Sequence, residues 1–276
     1  MGLCSGDAEP SKLIPLSPLM IDTHSHIYGS EFDEDRTFVV ERARQAGVEA
    51  ILLPNINADS IFPMLTMCRD YPGYCYPMMG LHPEDVKEDF AERLDEMESL
   101  LRNESSFIAV GEVGLDFYWD VTYKDQQLAA FERQVCWARD FGLPLVIHCR
   151  SAHRELVALM EKYRGDGLSG VFHCFGGTLE EAEELLSFPN FVLGIGGVVT
   201  YKKSTLPDVL NKVPLGRIVT ETDSPYLAPV PNRGKRNESA YVSHVVRRLS
   251  EIYACSEADI DKVTTNTAKK LFRLSI

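Results

Sequence analysis

Eight short, nearly continuous apolar runs punctuate this chain, at 19–24, 50–55, 75–80, 107–112, 144–148, 170–173, 191–195 and 217–221. Between them, apolar residues recur at helical spacing over 36–46, 60–70, 89–102, 124–141, 153–163, 179–187 and 205–211. Two more helical stretches follow, 238–253 and 257–272, the first with Asn237 as its expected cap. Gly47, Gly142 and Gly167 fall where helices should stop. Runs without polar alternation fit strands covered on both faces, as in a parallel sheet flanked by helices. Eight such strand–helix steps with right-handed crossovers predict an α/β fold, a single (β/α)8 TIM barrel. The competing arrangement is an open doubly wound sheet.

The polar residues that end these runs decide between the two. His24 and His26 close Leu19–Asp22, Glu112 follows Phe107–Gly111, His148 ends Pro144–Ile147, His173 ends Gly170–Phe172, and Asp223 follows Arg217–Thr222. From His24 to Asp223 is 199 residues, seven steps of about 28, the size of one βαβ unit. An open sheet would spread these strand ends along a line. A closed barrel brings them to one mouth, where they can hold metal.

Each residue type suits that role. His24 and His26, two apart on a strand, turn both rings to one side. Glu112, with glycine before it and Gly114 two residues after, offers two oxygens that can bridge cations about 3.5–4 Å apart. Asp223 can both bind a metal and accept a proton from water. Any one of these residues alone would read as a capped strand or a rim ion pair; six at equivalent strand ends do not. Histidine-rich sites suit Zn, Mn, Co or Fe, whereas Mg prefers oxygen, so the expectation is two divalent ions, with Zn, Mn, Mg and Co all open. His82, ending the run at 75–80, and Arg150, leaving the same strand end as His148, are candidate substrate contacts, Arg150 through a bidentate grip on phosphate. Tyr118, Trp119, Phe175 and Tyr226 can stack bases, and Lys202, Lys203, Arg233, Lys235 and Arg236 form two basic patches in the loops. His153 reads as the start of a helix and His244 as a residue inside one, neither with a role in the site.

Composition adds limits. The 276 residues carry a net charge of −13, which argues against broad electrostatic wrapping of nucleic acid while permitting a local cationic pocket. Seven cysteines without a CxxC pair read as reduced thiols, and with no secretory leader the expected place is the cytoplasm. No run approaches the length of a membrane span. Residues 1–17, proline-broken and aperiodic, read as a tail, and 18–276 as one domain.

The motifs resemble the TatD family of metal-dependent deoxyribonucleases. The resemblance runs from about residue 19 to the end and lies in Ile21–His26, Gly80–Pro83, Gly111–Asp116, Ile147–Arg150, Phe172–Gly177, Glu221–Leu227 and Ala228–Asn237. It implies a TIM barrel of the amidohydrolase type, with His24, His26, Glu112 and Asp223 around one ion and Glu112, His148 and His173 around another. It further implies hydrolysis of DNA phosphodiesters, often as a 3′-exonuclease. From the residues themselves, Asp223 and Glu112 are the expected catalytic groups, Arg150, His82 and Tyr226 the expected substrate contacts, and short single-stranded DNA or its 3′ ends the expected substrate. No membrane and no obligatory protein partner are expected. Two positions depart from the family pattern: Cys149 replaces the usual Ser or Thr, and Ser151 stands where Asp is common. The alternative is an amidohydrolase or an aminoacyl-ester hydrolase on the same site, although barrel enzymes of C–N chemistry often bridge their metals with a modified lysine and no lysine lies between 112 and 123. A non-catalytic scaffold would have lost a ligand, and all six are present.

Overall fold

A computed structural model describes residues 19–276; the expected tail at 1–17 lies outside the described residues. The strands are β1 (Met20–Asp22), β2 (Val48–Leu53), β3 (Cys75–Pro77), β4 (Val110–Asp116), β5 (Leu145–Arg150), β6 (Gly170–Phe172), β7 (Phe191–Ile195) and β8 (Ile218–Thr220). The helices are α1 (Arg36–Gln45), α2 (Ala58–Asp70), α3 (Phe90–Asn103), α4 (Lys124–Phe141), α5 (His153–Glu161), α6 (Leu179–Leu186), α7 (Leu206–Leu210), α8 (Val242–Tyr253) and α9 (Glu257–Phe272). Every predicted element is present, with ends that move by a few residues.

Strands β1–β2–β3 and β4–β5–β6–β7–β8 form two all-parallel ladders. Backbone hydrogen bonds join them at both seams. Ile108 N donates to Pro77 O (3.0 Å), and Gly111 N donates to Met79 O (2.9 Å). On the other side Thr23 N donates to Thr220 O (3.1 Å), and His26 N donates to Ser224 O (2.8 Å). The hydrogen-bonded ring is therefore continuous, with seams held by bridges rather than full ladders.

Packing shows the same closure. One buried cluster takes Ile21, Ala50 and Leu52, Met78, Ala109, Val146, Val171, Val192 and Val219, at least one residue from each strand or its immediate flank. Ala268 and Phe272 of α9 join it, so the C-terminal helix plugs the end opposite the polar mouth. Residues of the other parity, such as Ile51, Leu53, Leu145 and Ile147, pack outward against the helices. That alternation fixes the site. With Val146 inside, His148 also points in, and with Val171 inside, so does His173.

Strand β4 breaks its own alternation. A register shift against β5 lies between Gly111 and Val113, and an extra residue there flips the parity. Val113 and Leu115 therefore face the helices, and Glu112 turns into the barrel. Glu112 was expected to end its strand; instead β4 runs on to Asp116, and β5 likewise continues past His148 to Arg150. Gly114 permits the close pairing: at φ +136°, a β-carbon there would lie 2.0 Å from the carbonyl oxygen of His148. Asn237 is not a helix cap. Its side-chain amide donates to the carbonyls of Thr222 (2.8 Å) and Tyr226 (2.7 Å), pinning the loop after β8, and α8 begins only at Val242.

Candidate metal centre

Glu112 sits at the middle of the mouth, 3% exposed, with its two oxygens facing different partners. Oε2 lies 3.1 Å from His24 Nε2 and 3.5 Å from His26 Nε2. Oε1 lies 2.8 Å from His173 Nε2 and 3.1 Å from His148 Nδ1. The Oδ1 atom of Asp223 is 3.8 Å from His24 Nε2 and 3.7 Å from His26 Nε2. The two Nε2 atoms of His24 and His26 are themselves 3.2 Å apart. All six sequence-predicted ligand candidates thus converge, although they come from five strand ends.

These spacings suit a metal better than a hydrogen-bond network. One N–H on His24 Nε2 cannot serve Glu112, His26 and Asp223 together. Ligands at about 2.0–2.2 Å from a common ion stand about 3.0–3.5 Å from one another, close to the distances seen. The far nitrogens agree. Tyr28 donates its hydroxyl to Pro54 O (2.6 Å), so the 3.0 Å contact with His26 Nδ1 is completed by the ring's proton. That leaves the Nε2 lone pair of His26 facing the centre. Asp116 Oδ2 accepts from His148 Nε2 at 2.8 Å, which turns Nδ1 toward Glu112 Oε1. Glu221 Oε1 lies 3.5 Å from His173 Nδ1, on the side away from Glu112. Among the described residues, three groups could by spacing hold an ion: His24, His26 and Glu112; His24, His173 and Asp223; and His82, Glu112 and His148.

His82 differs. Its Nε2 is 3.4 Å from Glu112 Oε1, but its Nδ1 accepts from Glu84 N (3.2 Å), which puts the ring proton on Nε2. It meets the centre as a donor, suited to an oxygen of substrate rather than to a cation. Electrostatics follow the same layout. Burial would raise the Glu112 carboxyl, but the surrounding imidazoles of His173, His82 and His24 hold it well below the usual carboxylate range. Burial lowers His24, whereas at His173 and His148 the neighbouring carboxylates overcome burial and raise the rings. Asp22 takes no part in the cluster. It accepts from Thr222 N (2.9 Å) and Thr222 Oγ1 (2.7 Å), tying the ends of β1 and β8 together, and burial pushes it up to about 7.

The centre opens into a cavity of 1150 Å³. On one wall the Arg150 guanidinium lies 3.8 Å over the Tyr118 ring and 5.2 Å from that of Trp119, with both aromatics more than half exposed. Across the mouth, Tyr226 is 53% exposed, 6.4 Å from the His26 ring. Phe175 is buried, so it lines the cavity without offering a free face. Cys149 also lines it, its thiol pushed up to about 12 by burial and hence neutral. The basic patch is smaller than its sequence suggested: Arg236 is committed to Asp35 (2.8 Å) and Glu31 O (2.6 Å). Arg233 covers Tyr201, and Lys202, Lys203 and Lys235 are exposed. His153 pairs with Glu184 (2.7 Å), and His244 lies near Asn232.

Three residues around the centre escaped the sequence reading: Tyr28, Asp116 and Glu221. Asp116 and Glu221 stand inside the motifs that carry the ligands, but nothing in a one-dimensional pattern says which far ring nitrogen a carboxylate meets.

A family model described as TatD related DNase matches residues 21–273. An uncharacterized metal-dependent hydrolase, YabD of Bacillus subtilis, is 35% identical, with 93% of this chain and all of that protein aligned. A protein named 3'-5' ssDNA/RNA exonuclease TatD, from Pectobacterium parmentieri, is 33% identical, again over 93% of this chain and its own full length. Among solved structures, YJJV, a TatD homolog from Escherichia coli, superposes with a TM-score of 0.86 at 29% identity, covering 93% of this chain and 98% of its own.

Proposed function

Because the chain belongs to the TatD-related DNase family of metal-dependent hydrolases acting on ester bonds, we propose that it removes nucleotides from the 3′ ends of short single-stranded DNA, with two divalent ions sharing Glu112. One observation carries the reading: the two oxygens of a single buried carboxylate face two separate sets of imidazoles. His24, His26, Glu112 and Asp223 would hold one ion, and Glu112, His148 and His173 the other. Bound there, divalent ions would supply the positive charge a phosphodiester needs and lower the pKa of the attacking water.

The chain's own residues do the rest. Asp223, partly open to the cavity, receives the proton from water and orients it toward phosphorus. His82 presents its Nε2 proton to a non-bridging phosphate oxygen. Arg150 keeps its guanidinium edge free for the next phosphate while its face is covered by Tyr118. Trp119 and Tyr226 offer exposed rings for the terminal bases. A closed barrel floor admits a strand end more readily than the interior of a duplex, and this favours terminal digestion. Relatives named as ssDNA/RNA exonucleases support the same substrate class.

The test is product mapping on 5′- and 3′-labelled oligonucleotides with a panel of divalent metals. Mononucleotides released from the 3′ end support the reading. Inertness toward DNA and RNA, with turnover of cyclic amides or aminoacyl esters, would overturn it.

A further inference from the structure

We infer that Asp116 is a positioning residue that couples the metal floor to the substrate wall. One of its oxygens orients His148, and the other fixes the corner that carries Tyr118 and Trp119. The inference rests on the nuclease reading only for what the wall grips.

Asp116 is the last residue of β4, 2% exposed, and pairs in register with Arg150 on β5. Oδ2 meets His148 Nε2 at 2.8 Å, and Oδ1 accepts from Tyr118 N at 2.9 Å. The first contact sets the ring's tautomer. When the ring is neutral its proton is held on Nε2, and the Nδ1 lone pair faces the centre between Glu112 Oε1 and His173 Nε2, 3.1 and 3.5 Å away. The second contact turns the chain just after the strand, so that two large aromatics stand in solvent beside Arg150. Exposed aromatics on a loop hold one orientation only if the backbone beneath them is pinned, and here Phe117 N, donating to Arg150 O (2.9 Å), shares that task with the same carboxylate that orients the histidine.

The Asp116 backbone does not depend on its side chain. Its N–H donates to Gln127 Oε1 (2.9 Å), and its carbonyl accepts from Gln127 Nε2 (3.1 Å), a two-point clamp from α4. Replacing the carboxylate therefore removes two orienting contacts and leaves the strand end held.

Three full-length variants separate the two halves. Asp116→Asn keeps an oxygen for Tyr118 N but turns an amide toward His148. Asp116→Ala loses both contacts, and Trp119→Ala removes only a stacking face. Nitrogen-15 NMR of the metal-free protein, at a pH alkaline enough to leave the His148 ring neutral, reads its tautomer, metal titration reads ion affinity, and a fluorescent oligonucleotide in chelator reads the wall. In Asp116→Asn we expect the His148 proton to move to Nδ1 and the affinity for one ion to fall about 10–100-fold. Oligonucleotide binding should stay within about twofold of wild type. Asp116→Ala should lose metal equally and bind oligonucleotide at least about fivefold more weakly, as Trp119→Ala should with normal metal affinity. Wild-type metal affinity in Asp116→Asn, or equal oligonucleotide binding by Asp116→Asn and Asp116→Ala, would overturn the coupling. If wild-type protein binds no oligonucleotide, the nuclease reading and the wall half fail together, and the NMR and metal titration alone decide the His148 half.

Discussion

The floor of the mouth and its rim are built by opposite rules. On the floor, His24, His26, Glu112 and His173 are buried on strand ends, and His26, His148 and His173 each have a polar group near their far nitrogen. On the rim, Arg150, Tyr118, Trp119, Tyr226 and Lys235 are exposed and lie on loops or at the last residue of a strand. On the floor, displacing a side chain such as Glu112 or His148 would leave further buried polar atoms unpaired, at a cost of several kcal/mol. The rim has no such penalty, and its side chains gain their order from stacking and from the few contacts beneath them. Losses on the floor should therefore abolish turnover, and losses on the rim should weaken binding.

The sharpest break of that contrast is Glu112→Gln. An amide cannot offer two anionic oxygens, so both ions of the proposed centre would lose a ligand, and turnover should fall by about 10³-fold or more with metal content reduced. Two tightly held ions and near-normal turnover would move Glu112 off the floor's mechanism. Asp223→Asn comes next. It keeps shape but loses basicity, and a rate loss of about 10²–10³-fold is expected with the fold intact. Full rescue by excess metal would make Asp223 a ligand and not the base.

These floor residues were legible in sequence because each follows an apolar run that buries the strand leading to it. The strand limits were less so. At the mouth the inward positions of β4 and β5 turn polar, so the hydrophobic pattern stops at Glu112 and His148 while the ladder continues to Asp116 and Arg150. The inward turn of Glu112 depends on a register shift that no apolar count records. Rim cations were over-read for a related reason: Arg236 looks free in sequence, yet Asp35, some 200 residues away, claims it. Partners of the far ring nitrogens are equally hidden, because they depend on which strands lie side by side.

Acidity separates the two regions without any mutation. The Glu112 carboxylate outweighs burial and keeps His173 protonated to a higher pH than a free imidazole, and His148 shifts the same way. An ion must displace those protons, so metal affinity should fall as pH falls through the raised pKa, about tenfold per pH unit for each proton displaced, and level off above it. Metal-free oligonucleotide binding, whose grip lies on the rim, should vary less than metal affinity from about pH 6 to 9. Metal affinity unchanged over that range would show that the imidazoles are not the groups protons compete for. On the rim itself, Arg150→Lys keeps the charge but loses the planar stack on Tyr118. We expect KM for oligonucleotides to rise about tenfold with kcat changed less than about threefold. A change confined to kcat would place Arg150 with the floor.

The smallest effect expected is in the salt dependence. Single-strand binding loses affinity with salt at a slope of about −0.7 per neutralised phosphate. The chain carries −13 overall, and with Arg236 held by Asp35 the rim keeps Arg150 and a few loop cations for the substrate. Two or three phosphate contacts give a slope near −2, with little gain from oligonucleotides beyond a few nucleotides. Arg150→Gln should make that slope shallower by about 0.7, and Arg236→Gln should leave it unchanged, because the second cation faces a carboxylate rather than the mouth. Binding to catalytically inactive protein, followed against salt and length, measures both. A slope steeper than about −5, or an Arg236→Gln effect as large as that of Arg150→Gln, would mean that the basic loop after β8 opens to take nucleic acid along an extended groove and that the rim is not a local grip.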